Sequence, residues 1–118
     1  MPRIVVEAFC SEILDGRERH AVVLDLSPTG LRVARPFVGG RTPREVQLEL
    51  ELPGIDEIIW AKGHICYDRI RPAAPGTSAM ALGRIVRTSG IRLVAAAARD
   101  LRLLREYVLT QRITALGF

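Results

Sequence analysis

Residues 25–30 read DLSPTG: Asp25, Leu26, Ser27, Pro28, Thr29, Gly30. They stand between the apolar run AVVL (21–24) and the stretch LRVARP (31–36). Asp, Ser, Pro, Thr and Gly together are turn chemistry, because they supply local oxygen acceptors, a fixed φ and conformational freedom. The same letters admit a second reading. On an extended chain, side chains two residues apart share one face. Asp25 and Ser27 are so spaced. The segment is therefore either a plain turn, with Asp and Ser capping backbone groups, or a polar ledge at a strand end that grips a ligand.

Working outward, the neighbours of this stretch read as strands. RIVVEAFCSEI (3–13) is β-branched and apolar, with neither Gly nor Pro. Asp15-Gly16 is a hairpin signal. ERHAVVLDL (18–26) forms the returning strand and Leu31–Arg35 a third. PFVGGRTP (36–43) is a loop by its Pro and Gly content. In REVQLELEL (44–52), Val46, Leu48, Leu50 and Leu52 alternate with Glu45, Gln47, Glu49 and Glu51, so one face is buried and the other wet. Pro53-Gly54 ends it. A long strand follows over 57–70, with Gly63 marking a bend or bulge. RPAAPGTS (71–78) is a loop. Residues 79–94 read as two short strands around a turn at Thr88-Ser89-Gly90, with a helical start over 77–82 as the alternative. From 96 to 113 the composition turns helical. Ala97, Leu101, Leu104 and Val108 form an apolar stripe, and Gly117 is the stop.

Many strands and one terminal helix define a mainly β domain. An open sheet of this size would expose edges that invite aggregation. Closing it into a small antiparallel β-barrel, with the C-terminal α-helix over one end or seam, removes them. The 118 residues fit a single domain over 1–118 and suffice for a real core. With 48% hydrophobic and 25% charged residues, the class is globular rather than disordered. No apolar run reaches membrane-span length and no signal-peptide segment opens the chain, so the expected compartment is the cytoplasm, without membrane insertion. Cys10 and Cys66 are far apart and belong to no CxxC, which favours two buried free thiols over a disulfide. His20 and His64 are likewise distant, so no metal site is expected.

A strand, the DLSPTG stretch, further strands and a terminal helix together resemble the PilZ family. Asp25, Ser27 and Gly30 match its Asp/Asn-x-Ser-x-x-Gly signature, and SGIRLVAAA (89–97) leads into the helix as the last strand of such domains does. The resemblance covers essentially the whole chain in order of elements. It implies a regulatory domain that binds cyclic di-GMP and relays the signal to a protein partner in motility or biofilm control. Cyclic di-GMP is then a regulatory ligand, not a cofactor. In the family, an RxxxR segment upstream supplies guanidinium groups to phosphate and guanine. Arg3 matches its second arginine. The first would fall upstream of Met1, and Arg17 and Arg19 are not spaced to replace it. A charge-assisted hydrogen bond contributes about 1.5–3 kcal/mol. One missing arginine therefore implies binding weakened roughly 10- to 150-fold. The alternative is a degenerate PilZ adaptor that acts only through protein–protein contacts.

The expected ligand-binding set is Arg3, Asp25, Ser27 and Gly30, with Arg32 and Arg35 as additional contacts. For each arginine the plainer reading is a solvated surface charge, and for Arg3 a loose terminus. Trp60, Tyr67 and Tyr107 read as packing residues, with no aromatic stacking platform. The net charge of +4 and the arginine excess hint at an anionic partner. Sparse aromatics and the lack of a concentrated basic stripe argue against nucleic acid. No nucleophile–base constellation and no phosphate loop stands out, so an enzyme is not expected.

Overall fold

The computed structural model describes residues 3–14, 16–37 and 44–115. Six antiparallel strands are followed by one helix. They are β1 (Ile4–Leu14), β2 (Arg17–Ser27), β3 (Gly30–Pro36), β4 (Glu45–Glu51), β5 (Ile59–Pro72) and β6 (Ile85–Ala96), and α1 spans Ala98–Ala115. The strands close in the order β1-β2-β3-β6-β5-β4, with β1 paired to β4. The closed barrel and its C-terminal helix are as expected.

The alternating stretch behaves as its period requires. Val46, Leu48 and Leu50 enter the barrel while Glu45, Gln47 and Glu51 stay outside. They meet Val23, Leu26, Leu31, Val33, Ile59 and Ile91 in one core. Each fully buried Leu or Ile there contributes about 1.5–3 kcal/mol over its exposed state. α1 packs on β5, β1 and β2. It buries Leu104, Tyr107 and Val108, spaced i, i+3, i+4 on one face. Burial raises the Tyr107 pKa. The expected stripe is thus corrected at two positions, since Ala97 is exposed and precedes α1 and Leu101 misses the core. Leu101 is exposed, because the docked face turns toward Tyr107 and carries the buried Asp100 instead.

Two sequence signals were used differently from their reading. Thr88-Ser89-Gly90 is no turn, since β6 runs through it unbroken, and the helical alternative is realised as a short 3-10 turn at Ser78–Leu82. Trp60 is no core residue. It alternates with the inward Ile59 and Ala61 and lies half exposed on the outer face. Gly63 does sit at a bulge, where β5 shifts register between Lys62 and Gly63. Gly16 and Gly54 have φ of 77° and 82°, the left-handed turn conformation that glycine adopts freely. Asp15, most of the 36–43 loop and the Gly117 stop fall outside the described residues.

One end of the barrel interior is polar. Arg35 Nε and Nη2 donate to Glu12 at 2.5 and 2.7 Å, a bidentate pair with both residues essentially inaccessible. Arg35 Nη1 donates to Ser89 Oγ at 2.7 Å, Ser89 Oγ donates to Asp68 at 2.9 Å, and Arg87 Nε donates to Asp68 at 2.6 Å. Arg19 lies with its Nε 3.4 Å from Glu12. Its pKa is lowered, first by burial and then by the Arg35 and Arg87 charges, against the attraction of Glu12.

Candidate ligand-binding site

DLSPTG is the tight link between β2 and β3, with Ser27 opposite Gly30. Ser27 Oγ accepts from the backbone N–H groups of Gly30 (3.1 Å) and Thr29 (3.4 Å) and donates to the Gly30 carbonyl (3.2 Å). The turn reading is therefore right for Ser27. Gly30 has a separate reason to lack a side chain. A Cβ there would sit 2.5 Å from the Ile91 carbonyl oxygen on β6.

Asp25 takes a different course. A bulge between Val23 and Asp25 inserts Leu24 as the extra residue. This puts Asp25 on the outer face directly opposite Arg32 while Leu26 points into the core. Its two carboxylate oxygens accept one hydrogen bond each, from Arg3 Nη1 and Arg32 Nε. Burial alone would lower the Arg32 pKa. The hydrogen bond and charge of Asp25, helped by Tyr67, more than offset this, and the pKa is raised. The polar-ledge reading sets the Asp25 carboxylate and the Ser27 hydroxyl outward, side by side on one face. Both residues are only 2% exposed, the first roofed by two guanidinium groups and the second used up by the hairpin.

The strand register lays these residues out in two rungs across four strands. One runs Asp25, Arg32, Gly90, Tyr67 and the next Ser27, Gly30, Arg92, His64. Each rung has a glycine in its middle, so at two positions this face of the sheet raises no side chain of its own. An open cavity of about 500 Å³ lies over it. Arg3, Asp25, Ser27, Arg32, Tyr67 and Arg92 are among its walls. Three guanidinium groups against one carboxylate leave it doubly positive. Arg35 is not part of it. Three residues beyond Arg32, it has the opposite side-chain direction and serves the interior pair with Glu12, so its expected ligand contact is corrected.

Tyr67 and Arg92 were missed as site residues. A Cβ on Gly90 would fall 2.2 Å from Tyr67 Cε1 and 2.7 Å from Cζ, so the ring lies across the Gly90 backbone. The Arg69 guanidinium sits 5.0 Å from the ring centroid. The packing role expected of Tyr67 is thus met by Gly90 and Arg69, and the ring also forms part of the cavity wall. The signal lay in two places, a tyrosine on β5 and a glycine on β6, which only the register unites.

Neither a protein-family model nor a curated protein matches the chain. Solved structures do. The Bacillus subtilis inhibitor of motility MotI/DgrA superposes with a TM-score of 0.71 at 15% identity, over 96% of this chain and 50% of that one. The PilZ domain of Escherichia coli YcgR, solved with cyclic di-GMP, gives 0.66 at 15% identity, over 96% and 90%. YcgR in complex with cyclic di-GMP gives 0.70 at 16%, over 98% and 46%. The fold is that of a PilZ domain. This PilZ-like chain spans about half the length of MotI/DgrA and of YcgR, and nearly all of the isolated YcgR domain. Cys10 and Cys66 are free thiols, the first buried and the second exposed rather than buried as expected. Among the described residues no group of His, Cys, Asp and Glu is arranged to hold a metal ion, and no helix is long and apolar enough to cross a membrane.

Proposed function

We propose that this PilZ-like domain is a regulatory module that binds cyclic di-GMP in the cavity over Gly30 and Gly90 and relays its occupancy to a protein partner in motility or biofilm control. The observation that carries the reading is the convergence of Arg3, Arg32 and Arg92 beside the Tyr67 ring, on the outer face of this fold. Cyclic di-GMP has two phosphodiesters and two guanines. Its two negative charges complement the doubly positive cavity, and guanidinium groups suit both phosphate oxygens and the guanine edge. The Tyr67 ring offers a face on which a base stacks. Binding shifts Arg3 and Arg32 from Asp25 toward phosphate and re-aims the start of β1. That is the change a partner reads. The module carries out no chemistry of its own and acts in the cytoplasm.

One observation favours a second reading, an adaptor that no longer binds the messenger. Both Asp25 oxygens and the Ser27 hydroxyl already have internal partners, so the unliganded site is satisfied. Calorimetric titration of the purified protein with cyclic di-GMP, up to the high micromolar range, separates the two. The receptor reading expects saturable heat and a raised melting temperature. Absence of both removes it and leaves the adaptor.

A further inference from the structure

We propose that Arg92 is a phosphate-contacting residue of this cavity, the guanidinium that meets a ligand phosphate without first leaving a carboxylate. The inference rests on the reading that the cavity takes a guanine dinucleotide, and it assigns a role within it. Of the three arginines on the cavity wall, Arg3 and Arg32 are both hydrogen-bonded to Asp25. Moving either onto a phosphate strips a partner from a nearly inaccessible carboxylate, which costs free energy unless the ligand replaces it. Arg92 carries no such tie. It is exposed, and no hydrogen bond or ion pair of its side chain occurs among the described residues.

Its placement fits the role. Arg92 lies opposite Gly30 and two residues beyond Gly90 on the same face of β6. Neither glycine raises a side chain between the guanidinium and the cavity floor. The Leu93 N–H donates to the Thr29 carbonyl at 2.8 Å, which pins the backbone next to Arg92 to the β2–β3 turn. The long side chain thus starts from a fixed point and keeps a free planar fork. That fork matches two oxygens of one phosphate, a geometry an ammonium group does not reproduce.

The test is calorimetric titration of cyclic di-GMP into the full chain and its Arg92→Ala, Arg92→Lys and Arg102→Ala variants, with melting temperatures measured alongside. Arg102 is exposed on α1 and is the charge control. Losing one charge-assisted contact weakens binding about 10- to 150-fold in Arg92→Ala. Arg92→Lys recovers part of the affinity, Arg102→Ala binds as the parent, and the Arg92→Ala melting temperature stays at the parent value. An Arg92→Ala variant that binds as well as the parent overturns the assignment and leaves the cavity reading standing. So does one whose weaker binding comes with a lowered melting temperature. A parent chain that takes up no ligand overturns both.

Discussion

Replacing Arg35 by Met removes the guanidinium from the barrel interior and leaves Glu12 there with its charge. Removing one partner of a buried ion pair costs about 3–5 kcal/mol, because the other charge stays desolvated and unpaired. Here the loss is two hydrogen bonds at 2.5 and 2.7 Å plus the bond to Ser89 at 2.7 Å. Arg19 moderates it. Its Nε lies 3.4 Å from Glu12, and its Nε and Nη2 are buried without a hydrogen-bond partner, ready to turn to the carboxylate. We therefore expect the lower end, about 3 kcal/mol. Unfolding entropy near 2.1 cal/mol/K per residue gives this chain roughly 0.25 kcal/mol/K, so the melting temperature falls by about 12 °C. Differential scanning calorimetry reads this directly. In the double variant Glu12→Gln/Arg35→Met no unpaired Glu12 charge is left behind, and the loss is smaller than the sum of the two single losses. An Arg35→Met protein that melts with the parent, or keeps its stability while losing affinity for cyclic di-GMP, would refute this account of Arg35.

Three further outcomes follow from the geometry. Ser27→Ala removes the hydroxyl that holds the β2–β3 turn and should lower stability by about 1 kcal/mol in urea denaturation; a larger effect on ligand affinity than on stability would contradict the turn role. Gly90→Ala places a methyl group where the Tyr67 ring now lies, so the protein should fold yet bind cyclic di-GMP about tenfold or more weakly, as loss of a base-stacking face predicts. Cys66 should react with a thiol reagent in the native protein while Cys10 reacts only on unfolding. Burial, reinforced by the charge of Glu12 and opposed by Arg35 and Arg19, pushes the Cys10 thiol up to about 12. The folded chain then keeps a proton that the unfolded chain loses above pH 9, so this contribution to stability is complete below pH 9 and disappears as the pH rises toward 12. Cys10→Ala should flatten that alkaline loss in pH-dependent denaturation curves.

Local chemistry was legible where one segment decides its own state. The alternation from Glu45 to Leu52, the turn residues of DLSPTG and the helical run before Gly117 each carry their signal within a few positions, and closure followed from the number of strands. Reading failed where the deciding partner lies far along the chain. Gly90 looks like a turn residue beside Thr88 and Ser89, yet it is a glycine because the Tyr67 ring needs its space. Arg32 and Arg35 look alike in LRVARP, but an odd spacing sends one to the cavity and the other to Glu12. The bulge that turns Asp25 outward is invisible in AVVLDL, because it arises in the pairing of β2 with β3. Arg92 has no motif at all; its place beside Gly30 comes only from the register of β6.

Closure of the barrel restricts how any other protein can engage it. With β1 hydrogen-bonded to β4, every strand has a neighbour on both sides along part of its length; among the described pairings, only β1 before Phe9 and β5 beyond Ile65 run past β4. Over the doubly paired length of the barrel another protein meets no free strand edge. There it would read side chains on the curved outer wall or on the exposed flank of α1, a surface whose charge pattern is set by a few guanidinium groups.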